Sequence, residues 1–423
     1  MSISNIRAQF HHSFWVANIM ELFERLAYYG QATILSIFLR NTLKFNEIQA
    51  GQLSSIFGGL IYFLPIFAGA LADKYGFKKA FSFAFFVLAI GYFLIGSTGM
   101  AAFSGLYQGN LFLFLSVILI FTAIGGSFIK PSVLGTIALT SKPESKSLGY
   151  AIYYWLVNIG AAIGPLIAFL VRNSISIQAV YMVSAISCSL MFIATLVFYK
   201  EPVPEGIVEK KSLRQVVKNM GLVLKRFRFI IFLLIFSFYW LMFWQIFIVI
   251  PFYLTDFISK DAPFEIIESV DAWGIIVLQL VINRLTKKLA PITAIIVGFA
   301  FTILAWGLIM VNPSITMIIA GMVIFSIGEQ TQAPRYYEYI ADLAPKGQAA
   351  LFQGFAFLPI AIGWALGGTL GGWLYKTFAK ESNQPSMIFL VLMCIGVGTT
   401  ILMLLYNAYI KKHPAPELVE ESI

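Results

Sequence analysis

Five ionisable side chains fall inside stretches that otherwise have the composition of a bilayer interior. Glu21, Glu24 and Arg25 lie together in the run Met20-Glu21-Leu22-Phe23-Glu24-Arg25-Leu26-Ala27-Tyr28-Tyr29-Gly30, and Lys130 and Glu329 follow further on. A charge near the bilayer midplane costs roughly 2.5–3.5 kcal/mol even on lenient insertion scales, so such residues face a water-filled cavity or a partner and mark ion or substrate paths. The pattern implies movement of a charged solute. On a helix, Glu21, Glu24, Arg25 and Tyr28 share one face about 100° wide. Glu21 and Arg25 are four apart with the acid first, which favours a pair. Two carboxylates and one guanidinium leave one acid in excess, and burial and Arg25 act on it in opposite directions, so one glutamate can take up a proton reversibly. The alternative is a static salt-bridged cluster that holds helices together.

These residues need elements that can carry charge through hydrocarbon. Of 423 residues, 59% are hydrophobic and 12% charged, against roughly 25% charged in soluble proteins. A single large soluble core is therefore excluded. Apolar stretches of about 20 residues recur, the length that spans a hydrocarbon core of about 30 Å as a helix. They predict twelve helices, at 13–38, 49–71, 80–98, 111–136, 148–171, 178–199, 229–255, 269–286, 291–311, 314–340, 349–375 and 386–409. The one long polar connection carries Lys200, Lys210, Lys211, Arg214, Lys218, Lys225, Arg226 and Arg228. It divides the chain into an N-terminal six-helix bundle (1–199), a basic linker (200–228), a C-terminal six-helix bundle (229–410) and a tail (411–423). With both termini in the cytoplasm, about 20 of the 29 basic residues face that side, as the positive-inside rule requires. A multi-pass protein of the cell membrane is expected, with two bundles related by an axis along the membrane normal and a site between them.

Other classes find little support. Cys188 and Cys394 lie in apolar spans, so a disulfide framework is not expected. His11, His12 and His413 lie near the chain ends, so no histidine-based metal site is expected in the membrane. The formal charge of +9 sits in short loops and reads as topology rather than nucleic-acid binding. No cleavable leader is expected in the short polar segment Met1–His12. No nucleophile–base pair or Gly-rich nucleotide loop points to an enzyme.

The loop Gly69-Ala70-Leu71-Ala72-Asp73-Lys74-Tyr75-Gly76-Phe77-Lys78-Lys79 has a glycine, an aspartate four later, a basic residue, a glycine and a basic pair. It resembles the loop signature of the major facilitator superfamily, with Gly69, Asp73, Lys74 and Gly76 as structural residues. Asp73 can accept from the N-terminal amides of a neighbouring helix. A faint echo in the second half is Asn283-Arg284 with Lys287-Lys288.

The first span resembles that of the proton-coupled oligopeptide transporter family, which carries Glu-x-x-Glu-Arg-Phe and then Tyr-Tyr-Gly. Three further stretches resemble the same family: Gly125-Gly126-Ser127-Phe128-Ile129-Lys130-Pro131, Tyr153-Tyr154-Trp155-Leu156-Val157-Asn158-Ile159-Gly160, and Gly328-Glu329 with Ala333-Pro334 and Leu343-Ala344-Pro345-Lys346. The resemblance implies an all-α membrane protein of the major facilitator fold. It implies that Arg25 and Lys130 bind a peptide carboxylate, that Glu329 receives the amine, and that Tyr28, Tyr62 and Asn158 supply hydrogen bonds, with Trp240 also at the substrate. Proton coupling would rest on Glu21, Glu24 and Arg25, with the proton as coupling ion and no other cofactor. A monomer that carries a small solute through the lipid bilayer is expected. Independently of the resemblance, a zwitterion needs cationic and anionic groups on opposite walls, and the two halves offer them.

The departures are specific. The family's second first-span arginine is Ala32 here, its seventh-span Glu-Gln is Trp244-Gln245, and an eleventh-span tryptophan is Ala356. The first two lost charges face each other in the family, so one gate and one proton site are expected to be missing. Arg335 is expected to pair with Glu338 at the cytoplasmic end, with a second anion site as the alternative. Glycines four apart, at Gly160 and Gly164, at Gly363, Gly367 and Gly371, and at Gly368 and Gly372, imply close helix packing or a sliding seam. Proton-driven uptake of di- or tripeptides is the leading reading. Transport of another small organic or inorganic anion on the same scaffold is the other.

Overall fold

The computed structural model describes residues 9–107, 109–142, 145–202, 213–344 and 352–413. Lys210, Lys211, Pro345, Lys346 and most of the C-terminal tail lie outside them. Twelve spans follow one another. In the first half these are α1 (His12–Ile37, extended by a π turn Phe38–Thr42), α2 (Glu47–Phe63 and Pro65–Tyr75), α3 (Phe77–Ser97), α4 (Leu111–Ser127 and Ile129–Thr140), α5 (Lys146–Ser174) and α6 (Ile177–Phe198). In the second they are α7 (Phe227–Phe243, continued in short turns to Ile258), α8 (Phe264–Thr286), α9 (Pro291–Val311), α10 (Ile315–Leu343), α11 (Leu358–Leu374, with a π turn Tyr375–Glu381) and α12 (Ser386–Lys412).

Eight spans are uninterrupted and apolar enough to cross a bilayer, and α2 qualifies as a pair of segments bent by 45°. The remaining three depart for chemical reasons. α1 carries Glu21, Glu24 and Arg25, α8 carries Glu265, Glu268 and Asp271, and α11 is short before its π turn. The α2 bend falls at Pro65, which has no amide hydrogen to donate and so starts the second segment. Polar side chains close other ends. Asn46 and Gln49 form a reciprocal cap on α2, while Ser176 and Ser314 cap α6 and α10.

Two differences from expectation bear on the site. The connection between the halves contains an amphipathic helix, Leu213–Leu224, which packs on α2. And α8 starts at Phe264 rather than near 269, so Glu265 and Glu268 are helical and buried instead of lying in a loop.

The halves meet along two seams, α2 against α11 and α5 against α8. On the first seam the backbones touch: a Cβ added to Gly51 would lie 2.1 Å from the Gly368 carbonyl oxygen. The α11 glycines divide by face. Gly368 and Gly372 meet Gly51 and Glu47 of α2, whereas Gly363, Gly367 and Gly371 meet Trp240, Leu241 and Gln245 of α7. Gly160 and Gly164 pack inside the first half, against Arg25 and Leu26 of α1. One glycine row therefore belongs to the seam between halves, and the others to ordinary packing within a half.

Candidate functional site

The first-half cluster is built by α1 and held by α5. Gly160 lets α5 approach until a Cβ there would stand 2.4 Å from Arg25 Cβ. Arg25 has both its Nε and Nη2 on Glu24, with Nε to Glu24 Oε2 at 2.5 Å, while Glu21 Oε1 is 3.4 Å from Nε. The fork is thus spent on Glu24. Both Glu21 oxygens lack a hydrogen-bond partner, and Glu21 is the excess acid in this conformation. The Arg25 guanidinium also lies 4.8 Å from the Tyr28 ring centre.

A cavity of about 280 Å³ opens between the halves toward the face that carries both ends of the described chain. That is just below the roughly 300–1,000 Å³ of small-molecule sites, and suits a small solute. Arg25, Tyr28, Tyr62, Lys130 and Phe357 line its depth, and Asp73 and Asn219 its mouth. Lys130 is the second residue of the second segment of α4, followed by Pro131 in its first turn. Its Nζ lies 4.3 Å from the Phe357 ring centre, across the gap between halves. Among the described residues it makes no ion pair.

Three expected substrate contacts stand elsewhere. The Asn158 amide donates to the Tyr154 carbonyl of its own helix at 2.8 Å. Trp240 stacks on Trp244, its indole N–H unpartnered. Glu329 on α10 faces Asp271 of α8, the two side chains within hydrogen-bonding reach. None of the three forms part of the cavity wall in this conformation. Tyr62 connects the two regions, since its phenol lies in electrostatic range of both Arg25 and Glu329. Glu329 is therefore paired with a second buried acid of the same half. Asp271 escaped notice because the boundary placed at 269 left it in the first turn of a helix, where an acid is an ordinary capping residue.

The opposite face is closed. Arg40 at the end of α1 holds Asp256 at the end of α7 with two bonds of 2.9 and 2.8 Å. Lys380 and Tyr375 of α11 reach the same carboxylate at 2.7 and 2.8 Å. Arg172 of α5 forms an ion pair with Glu265 of α8. Beneath these contacts Trp244 stacks on Trp364 at 3.5 Å between centroids, with Tyr62 5.9 Å from each. The residues at Ala32 and Trp244 thus leave no void. An aromatic stack fills the level where a charged pair was expected to be missing, and ion pairs close the seam further out. The expectation of a lost gate is corrected accordingly.

The loop residues are placed as follows. Gly76 has φ +95°, a conformation that favours glycine. The amides of Phe77 and Lys78 donate to the Glu201 carboxylate at 2.7 and 2.6 Å. Glu201 therefore caps α3. Gly69 packs against Pro131, and Lys74 lies 5.0 Å from the Tyr75 ring centre. Arg335 pairs with Glu338 and donates to the Lys287 carbonyl at 2.6 Å, which is the end-of-helix arrangement. Among the described residues no group of three or more His, Cys, Asp or Glu side chains is placed to hold a metal.

Comparison with known proteins places this geometry. The chain is 24% identical over 339 residues to the multidrug resistance protein MdtH of Klebsiella pneumoniae subsp. pneumoniae, covering 79% of both chains. It is 23% identical over 364 residues to MdtH of Cronobacter sakazakii, covering 85% of this chain and 84% of that one. Its fold is similar to a crystal structure of a POT family transporter in complex with a thioalcohol-conjugated peptide, with TM-score 0.76, 19% identity and 94% and 96% coverage. It is also similar to the nucleoside transporter NupG, with TM-score 0.75, 16% identity and 93% and 99% coverage. The family model described as Major Facilitator Superfamily matches residues 18–260 and 258–421. Together these matches make the chain a transporter rather than an enzyme, and it belongs to the major facilitator superfamily.

Proposed function

We propose that the protein is a proton-coupled symporter of di- or tripeptides that works by alternating access, with both termini in the cytoplasm. The observation that carries this reading is the charge arrangement around the cavity. Lys130 stands beside Arg25 in the cavity wall of the first half, and a carboxyl pair, Asp271 and Glu329, stands outside that wall in the second, with Tyr62 in electrostatic range of both Arg25 and Glu329. A zwitterion bridges such walls; a simple anion uses only one. The relation to peptide-carrying POT structures supports the reading, and one charge moved through 100 mV supplies about 2.3 kcal/mol for uptake. The conformation is open to the terminal face and closed opposite, the state from which cargo leaves into the cytoplasm.

The test is uptake and binding in proteoliposomes with a dipeptide, its C-terminal amide and its N-acetyl form. Lys130→Ala should weaken the free dipeptide by about 2 kcal/mol or more, as for loss of one partner of a buried charge contact. Glu329→Gln and N-acetylation should each weaken binding, and together no more than either alone, because both remove one contact. Equal binding of all three peptides to the wild type refutes peptide recognition. Retained uptake of an organic anion in Glu329→Gln would then favour anion transport.

A further inference from the structure

The family resemblance left one feature without a role: a file of acids on α8. Glu265, Glu268 and Asp271 are spaced three apart, so each lies about 4.5 Å further along the axis and about 60° round from the last. They descend from the closed face toward the cavity. Glu265 is held by Arg172, which also donates to the Ala262 carbonyl at 3.4 Å. Asp271 ends the file against Glu329 of α10.

Glu268 is the informative member. It is 4% exposed, and neither carboxyl oxygen has a hydrogen-bond partner. It faces Thr33 of α1, whose hydroxyl donates to the Tyr29 carbonyl at 2.7 Å. With that hydrogen on Tyr29, Thr33 Oγ1 offers Glu268 a lone pair, which a protonated carboxyl can fill as donor. The same holds at the lower end. Asp271 is 8% exposed, with Oδ1 unpartnered, and two carboxyl groups that face each other join only through a shared proton. Other groups around the file are Arg172 and Tyr154 of α5, Tyr29 of α1, Tyr239 of α7 and Tyr337 of α10. Arg172 is the cation among them, and its fork is taken by Glu265 through Nε and Nη2.

We infer that α8 carries a proton-binding path, in which Glu268 and the Asp271–Glu329 pair each hold one exchangeable proton and the Arg172–Glu265 pair closes the outer end. It supplies the second half with proton sites that Trp244 does not provide on α7. Opening the closed face breaks the Arg172–Glu265 contact and admits a proton, which passes from Glu265 to Glu268 and on to the Asp271–Glu329 pair. There it is held until the terminal face is open, and it leaves to water in the cavity on that side. The role in coupled uptake rests on the proposed symport; the binding of protons does not.

Infrared difference spectra of the protein in nanodiscs, titrated with pH in the absence of substrate, test the sites directly. The wild type should show carbonyl bands of protonated carboxyl groups. Glu268→Gln should remove one band and Asp271→Asn should shift or remove another, while Glu268→Asp should keep a displaced band. Loss of thermal stability in Glu268→Gln is controlled by that conservative variant. Bands unchanged by these substitutions, or bands abolished by sodium in place of protons, overturn the inference. In proteoliposomes, Glu268→Gln should lose at least tenfold of the acceleration of uptake by a proton gradient. If the wild type shows the bands but no gradient-driven uptake, the symport proposal fails while the sites stand. If the wild type is gradient-driven and Glu268→Gln is equally so, the path fails while symport stands.

Discussion

At the scale of single residues, the division of labour in the α1 cluster follows from hydrogen-bond capacity. Here the Arg25 Nε and Nη2 both reach Glu24 Oε2, and Glu24 Oε1 is left without a partner. Glu21 stays at 3.4 Å with no other partner. Under the proposed symport, arrival of a substrate carboxylate at Arg25 competes with Glu24 for the guanidinium, and a released Glu24 then needs a proton in its dry surroundings. This links cargo binding to proton uptake in one step. Glu24→Gln should abolish accumulation driven by a proton gradient while leaving counterflow exchange in place, since a glutamine remains neutral throughout. Accumulation by Glu24→Gln at the wild-type level in proteoliposomes would remove Glu24 from the coupling step.

At the scale of elements, the α2–α11 seam depends on two glycines that face each other. A Cβ on Gly368 would lie 2.3 Å from the Gly51 carbonyl oxygen, a contact with backbone that no side-chain rotation relieves. The Ser55 hydroxyl meets the same stretch, accepting from the Thr369 amide at 3.1 Å. Gly368→Ala should therefore push α11 off α2 and disfavour closure of this face. Spin labels at Ser104 and Gln384, one in each half on that face, should report a longer distance in Gly368→Ala than in the parent. An unchanged distance would mean that the seam does not limit closure. Gly363→Ala, inside the second half against Trp240, should affect stability without the same widening.

At the scale of the whole molecule, the closed face hangs on Asp256. It gathers Arg40 from the first half and Lys380 and Tyr375 from the second. Removing the shared carboxylate leaves the buried Arg40 uncompensated, so Asp256→Asn should disturb closure more than Lys380→Gln, which removes a half-exposed group. The expected outcome is faster labelling of a cysteine placed at Phe247 by a membrane-impermeant reagent added from that side. Equal rates in Asp256→Asn and the parent would show that the aromatic stack of Trp244 and Trp364 closes the molecule alone. The same labelling, with a second cysteine at Lys218, tests the sidedness assigned from basic residues.

Much of this architecture was legible in the sequence because hydropathy and charge are local properties. Apolar runs of spanning length marked the helices, Glu21, Glu24 and Arg25 marked a charged face on α1 that the fold buries, and Arg335 with Glu338 read as a local pair, since residues three or four apart must be neighbours on a helix. Other features depend on which distant helices meet, and only the tertiary structure decided them. Asp256 and Arg40 lie 216 residues apart in sequence, yet one carboxylate joins α1, α7 and α11. Glu201 caps a helix more than a hundred residues before it. Glu265, Glu268 and Asp271 read as polar loop and capping residues until α8 was seen to begin at Phe264 and to turn that face to α1, α5 and α10. A side chain's chemistry is written in its own position, but its partners come from the packing of helices, and partners determine whether a buried acid is a salt bridge, a cap or a place for a proton.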